Sequence, residues 1–326
     1  MRKAVFVGIN NYGHPSRNLR GCINDASAMS AILETNGDGA PNFDVKLYTD
    51  ADVSKKSSLT GIVYDLFKGE HNLALLYFSG HGVKNEIDTY LVTPDFDKYS
   101  PGLSVTELLK IANESRCQNK IVILDCCHSG ATGGLSIIGN EAAFIGKGVT
   151  ILTASKSDEV SLEVNGHGVF TNLLLDALQG GAADISGNIT PGSVYAYIDK
   201  ALGAHDQRPV FKTNITEFIN LRKMPPKVSD DILRKLVKYF PTPDHVFGLD
   251  PSFEDTNSPD IKPLIYEPYA REENVSIFKD LQRFQSVGLL VPVDAPYMYF
   301  AAMNKKSCRL TALGYHYWRL VKDKRI

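Results

Sequence analysis

Between residues 3 and 212 short apolar runs of strand length alternate with longer stretches of helical periodicity, and this alternation restricts the fold more than any other feature of the chain. The runs at 3–9, 73–78, 121–124 and 149–153 are almost free of polar residues, as strands covered on both faces are. Between them Ile23, Ala26, Met29, Ile32 and Leu33 recur at helical spacing, and Leu59, Ile62, Val63, Leu66 and Phe67 mark a second amphipathic helix opened by Ser54. Further helices are expected behind a capping box at Ser104 and Glu107, over 169–178, and after Thr190-Pro191. Weaker strand signals lie at 43–48, 90–93 and 209–211. The pattern predicts an α/β domain with a mostly parallel six-stranded sheet and helices on both faces.

The pattern changes at Met224-Pro225-Pro226, so a chain of 326 residues is read as two domains, 1–222 and 223–326. Ser229 opens a helix through Ile232, Leu233, Leu236, Val237 and Phe240. Six prolines from Pro241 to Pro268 then exclude regular structure over most of that span. A helix through Val275, Phe278, Leu281 and Phe284, strand-like runs at 289–293 and 297–302, and a helix over 311–321 complete a small α+β domain. The order helix, hairpin, helix resembles a winged-helix module. Residues 226–326 carry 15 basic and 13 acidic side chains. That balance gives little support to nucleic-acid binding and suits protein contact or self-association equally well.

Hydrophobic residues make up 43% and charged residues 22% of the chain, as in ordinary globular proteins. A net charge of −2 provides no global field toward nucleic acid or anionic membranes. Five cysteines without framework spacing point to a reducing compartment. Residues 1–9 hold too few apolar positions for a signal peptide, and no apolar run approaches the roughly 18 residues of a membrane span. A cytoplasmic protein is expected.

Two of the buried runs break into glycine at their C-terminal ends. One ends in Ser79-Gly80-His81-Gly82 and the other in Asp125-Cys126-Cys127-His128-Ser129-Gly130. In open parallel sheets ligands bind outside the carboxyl ends of the strands, so an imidazole and a thiol there would face one crevice. His81 and Cys127 are therefore the candidate base and nucleophile. A zinc site made of Cys126, Cys127, His128 and His81 would need adjacent ligands without Cys-x-x-Cys spacing, and no metal is expected. The glycines at 130–134 lack the lysine of a phosphate-binding loop.

At these motifs the chain resembles the caspases, whose histidine lies roughly 50 residues before the cysteine, against 46 here. It is closer still to metacaspases and prokaryotic caspase-like proteases, through the two motifs above, the segment 18–26, Thr153-Ala154-Ser155, Gly168-Val169-Phe170-Thr171 and Arg208-Pro209-Val210-Phe211. The likeness covers about residues 1–220. It implies a caspase-like fold and a cysteine endopeptidase in which the Cys127 thiolate attacks a peptide carbonyl. His81 promotes the thiolate and protonates the leaving amine, and the backbone N–H groups of Gly82 and Cys127 hold the oxyanion. No third orienting residue is expected, and Cys126 is read as structural.

The resemblance also places the floor of the primary substrate pocket on Asp25 and Asp125, with Ser79 beside them. Two carboxylates suit arginine or lysine before the scissile bond, with at least a hundredfold preference over aspartate. Some relatives need calcium; their aspartate set finds no match beyond Asp95 and Asp97, and no cofactor is expected. Many relatives cut themselves, which points first to Lys147. Prokaryotic relatives act in defence and cell death on partners such as bacterial gasdermins. The alternative is a caspase-like scaffold with a regulatory role, binding protein or DNA through its C-terminal domain.

Overall fold

The computed structural model describes residues 1–97, 99–128, 145–154, 167–203, 209–258 and 266–326, with the backbone alone at 127 and 128. The chain divides into two compact units, Met1–Pro225 and Pro226–Ile326. Among the described residues no helix is long and apolar enough to cross a membrane.

The first unit contains the strands β1 (Arg2–Gly8), β2 (Asp44–Tyr48), β3 (Leu73–Lys84), β4 (Thr89–Val92), β5 (Gly102–Ser104), β6 (Asn119–His128), β7 (Val149–Thr153), β8 (Asn188–Ile189), β9 (Val210–Thr213) and β10 (Arg222–Lys223). Its helices are α1 (Cys22–Glu34), α2 (Lys56–Phe67), α3 (Val105–Glu114), α4 (Val169–Asp176) and α5 (Pro191–Ala201). Six strands form the main path in the order β2-β1-β3-β6-β7-β9, all parallel except β9. β4 and β5 extend the sheet from the far end of β3, antiparallel to it and to each other, and β8 pairs with β10 in a separate ribbon.

The uninterrupted apolar runs follow from this layering, because successive side chains on a strand point to opposite faces. Val5 and Val7 of β1 and Ala74, Leu76 and Phe78 of β3 pack with Leu59, Val63, Leu108 and Leu109 of α2 and α3. Ala4, Phe6, Leu73, Leu75 and Tyr77 pack on the other face with Met29 and Leu33 of α1, Leu174 of α4 and Ile198 of α5. Helix entry follows local chemistry. The Ser104 hydroxyl accepts from the Glu107 N–H at 3.0 Å, and Thr190 and Ser193 form a reciprocal capping box with Pro191 at the first helical position. The helix expected to open at Ser54 begins two residues later, at Lys56.

The apolar pattern ends this strand at the glycines after Phe78. β3 does not break at Gly80 but continues through His81 and Gly82 to Lys84, held by β6 on one side and β4 on the other. Glycine is there for space: a Cβ on Gly80 would stand 2.6 Å from the Tyr12 hydroxyl and 2.9 Å from the Phe78 ring.

The second unit is α+β. It holds α6 (Asp230–Leu233), α7 (Leu236–Tyr239), β11 (Val246–Gly248), α8 (Glu272–Ser286), β12 (Leu290–Val293), α9 (Met298–Met303), β13 (Ser307–Leu310) and α10 (Ala312–Lys322), with an antiparallel sheet in the order β11-β13-β12. The run at 297–302, expected as a strand, is helix α9. Its buried positions Met298, Ala301 and Ala302 follow helical spacing, while Tyr299 and Phe300 are exposed. The strand that partners β12 is instead β13, so α9 lies between the two strands where a tight hairpin was expected.

Asn257, 1% exposed, organises the proline-rich segment through its amide, which donates to the carbonyls of Pro251 at 3.1 Å and Tyr266 at 2.8 Å and accepts from the Tyr266 N–H at 3.0 Å. Asn257→Ala is expected to destabilise this unit by about 2–3 kcal/mol, because it strands buried backbone groups. Denaturant unfolding checks it.

Candidate active site

β3 and β6 run parallel with Ser79 opposite Asp125 and His81 opposite Cys127. Neighbouring strands lie about 4.8 Å apart, so this register sets the two motifs side by side at the carboxyl end of the sheet. Cys126, between Asp125 and Cys127, is buried in the core on the α2 and α3 face. The rest of the second motif, Ser129 and Gly130, lies outside the described residues, as do Ser155, Arg208 and most of the glycine-rich stretch at 130–148.

His81 is held at three points. Its Nε2–H donates to the Arg17 carbonyl at 2.7 Å, its backbone N–H donates to the Tyr12 hydroxyl at 2.8 Å, and its ring lies against the Tyr12 ring with centroids 4.6 Å apart. A carbonyl only accepts, so the Nε2 proton is fixed by that bond, and the neutral ring carries its lone pair on Nδ1. The ring is thus oriented by a main-chain oxygen. The loop that supplies it is tied down locally. The Asn10 side chain accepts from the Cys22 N–H at 3.0 Å, Asn18 accepts from the Tyr12 N–H at 2.9 Å, and the Leu19 N–H donates to the Asn10 carbonyl at 2.9 Å. Tyr12 is 2% exposed, and burial holds its phenol protonated far above the usual range.

Tyr12→Phe keeps the ring and removes the acceptor for the His81 N–H. With His81 as the base proposed below, a fall in kcat of about tenfold is expected, the cost of one hydrogen bond to its main chain. Steady-state kinetics on a peptide substrate, with a melt to show that the fold is intact, measures it.

The acidic residues converge on a second cluster. Asp25 of α1 is 3% exposed; its Oδ1 accepts from His167 Nδ1 at 2.8 Å and its Oδ2 from the Ser79 hydroxyl at 3.4 Å. Asp125 Oδ2 accepts from the Thr171 hydroxyl at 2.5 Å. That hydroxyl also lies 2.5 Å from the Tyr77 phenol. Having given its one proton to Asp125, Thr171 must accept from Tyr77. The two carboxylates meet at Gly168, where a Cβ would stand 3.3 Å from Asp125 Oδ2 and 3.6 Å from Asp25 Oδ2. Gly168 is also the N-cap of α4, and its N–H bonds to Asp25, so the helix N-terminus favours negative charge there. Even so, burial dominates and pushes the Asp25 carboxyl up, against the lowering effect of His167, Gly168 and Ser79. A carboxyl perturbed by burial beside specific charge partners is a candidate functional group.

Beside His81, bounded by β3, β4 and the loop of Arg17, opens a cavity of about 450 Å³ lined by Tyr12, Arg17, Val83, Val92 and Phe96. The Arg17 guanidinium lies 4.6 Å from the centre of the Phe96 ring. Gly82 is buried in β3, opposite Leu91 and His128. Asp95 and Asp97 serve the backbone. Asp95 accepts from the Lys56 N–H at 3.0 Å, at the start of α2, and Asp97 from the N–H groups of Tyr99 and Ser100 at 2.7 and 2.8 Å. Among the described residues no group of three or more His, Cys, Asp or Glu is arranged to hold a metal ion. Lys147 has an exposed side chain, but its carbonyl accepts from Lys120 Nζ at 2.8 Å and the next N–H, of Gly148, donates to the Asn214 carbonyl at 2.7 Å. The peptide after Lys147 is thus held in a turn and is not presented as an extended strand.

The model of the Peptidase C14 family, the caspase domain, matches residues 1–219. The chain belongs to this family. Its caspase domain contains both motif strands, the acid cluster and the His81 loop, and ends within six residues of the division at Pro225. No curated protein matches the sequence. Among solved structures the chain is similar to the protein GSU0716 from Geobacter sulfurreducens, at 18% identity and a TM-score of 0.49, over 69% of this chain and 97% of that one.

Tyr12, the Arg17 carbonyl, Tyr77, His167 and Thr171 were not singled out as functional by sequence reasoning. Thr171 lies within the motif at 168–171, which could have flagged it. A backbone oxygen gives no sequence signal at all.

Proposed function

We propose that the protein is a cysteine endopeptidase that cuts after arginine or lysine, with Cys127 as nucleophile, His81 as base and then acid, and Asp25 and Asp125 as the receptor for the basic side chain. The observation that carries this reading is the shared register. The pair His81–Cys127 lies one alternate position along from the pair Ser79–Asp125, with Asp25 beside Ser79, and this register supports a cation receptor next to the reacting pair. The Nε2 bond to Arg17 leaves Nδ1 as the nitrogen that takes the thiol proton, and the resulting thiolate–imidazolium pair attacks the carbonyl. Collapse of the tetrahedral intermediate passes that proton to the leaving amine, and water then hydrolyses the thioester with His81 again as base.

His167, a polar side chain that is 18% exposed, bonds to Asp25 of this receptor. The caspase domain, the absence of a long apolar helix among the described residues and the aromatic-rich surface of α9 are compatible with a protein substrate met in water.

Matched fluorogenic peptides carrying Arg, Lys or Asp before the reporter decide it. At least a hundredfold higher kcat/KM is expected for Arg or Lys over Asp, since a third negative charge beside two buried carboxylates costs on the order of 3–5 kcal/mol. Comparable cleavage of the Arg and Asp peptides would refute the assignment of the receptor.

A further inference from the structure

The His167 imidazole occupies the place in which the proposed reading seats a substrate cation. Its Nδ1 is 2.8 Å from Asp25 Oδ1, and the Asn24 amide nitrogen lies 3.3–3.4 Å from the two ring nitrogens, so α1 grips the ring from two adjacent residues. The next residue, Gly168, presses against both carboxylates. The titratable groups of the cluster that His167 joins through Asp25 come from three elements. They are Asp25 and, deeper, Cys22 on α1, the Tyr77 phenol on β3 and Asp125 on β6. Two of these are carboxylic acids, and among the described residues the basic side chain bonded to Asp25 is His167.

We infer that His167 is the resident counter-cation of Asp25 and sets, according to pH, how readily a basic substrate side chain enters the receptor. The inference rests on reading Asp25 and Asp125 as that receptor. When protonated, His167 holds Asp25 through a charge-assisted bond and competes with the incoming guanidinium or ammonium. When neutral, it gives Asp25 only an ordinary hydrogen bond, and the substrate cation displaces it by a turn of the side chain. A protonated ring competes more strongly than a neutral one, so the competition strengthens toward acid pH and fades toward alkaline pH. His167 is thus a specificity-determining residue that does not touch the reacting atoms.

The test separates this role from mere support of Asp25, because the two give opposite signs. KM and kcat for an Arg-containing fluorogenic peptide are measured at pH 6 and pH 8 for the full-length protein, His167→Ala and His167→Gln. Removing a charged competitor lowers KM at pH 6 by about tenfold, the difference between a charge-assisted and a neutral hydrogen bond, and the gap to wild type closes by pH 8. His167→Gln, which keeps a donor without the charge, follows His167→Ala at pH 6. An unchanged or raised KM at pH 6 in His167→Ala overturns the inference while leaving the receptor in place. Absence of cleavage after basic residues by wild type and variants alike removes the receptor itself, and the inference with it. Thermal melts of both variants show whether a loss of activity is a loss of fold.

Discussion

His81→Ala is expected to lower kcat for an arginine-containing peptide by about a thousandfold or more, and Cys127→Ala to do the same, because each removes one half of a unit that works only when whole. The double variant should be no worse than either single one. Non-additivity of this kind distinguishes a reacting pair from two residues that support the fold independently, whose effects would multiply. KM should change little, since neither side chain belongs to the proposed cation receptor. His81→Ala also leaves the Arg17 carbonyl and the face of the Tyr12 ring without their partner, so a melt of each protein accompanies the kinetics. Single variants that each lose only a fewfold, with losses that multiply in the double variant, would indicate that the chemistry is elsewhere.

Asp25→Asn carries the second large effect, and it has two parts of opposite benefit. Selectivity for Arg over a neutral residue should fall by about a hundredfold, the scale of one buried charge pair. Stability should rise at neutral pH, and the sign follows from the pKa direction. Burial raises the Asp25 carboxyl in the folded state, so its favourable contribution is complete only at pH below its unfolded value and is lost as pH rises through its folded value. At pH 7 the wild type bears the cost of a buried anion and the asparagine variant does not. Thermal melts at pH 7 and pH 4 should show the variant ahead at the first and level at the second. The amide oxygen still accepts from His167 Nδ1, and the Ser79 hydroxyl, which can also accept, turns to take a bond from the new NH2. A variant that is less stable at pH 7 would mean that the His167–Asp25 pair is a structural ion pair first.

Much of the first unit could be read from the sequence because its strands are covered on both faces. Residues 73–78 and 121–124 have no polar alternation to confuse, and the helices between them show one apolar stripe each. The motif residues were legible for a related reason: a histidine between glycines and a cysteine after a buried run have little purpose in packing. What failed depended on partners distant in sequence. That β3 runs on past Gly80 follows from β4 and β6 pairing with it, which no local signal announces. The run at 297–302 is a continuous, aromatic-rich apolar stretch of strand length, yet burial of Met298, Ala301 and Ala302 selects a helix, and the short central strand β13 has only Cys308 fully buried to mark it. The Arg17 carbonyl was invisible because main-chain atoms are the same at every position. His167 was invisible because its meaning comes from Asp25, 142 residues earlier in the chain.

The account stands on an imidazole that activates one particular thiol, and the rate at which that thiol is alkylated measures this most directly. Cys22, Cys117, Cys126 and Cys308 are all buried, so iodoacetamide labelling followed by peptide mass mapping reads Cys127 against little background. At pH 6.5 Cys127 of the wild type should react at least about tenfold faster than Cys127 of His81→Ala, because only the thiolate is the nucleophile and only the wild type has a base to form it there. Equal rates in the two proteins would contradict the pairing of His81 with Cys127, and with it the peptidase.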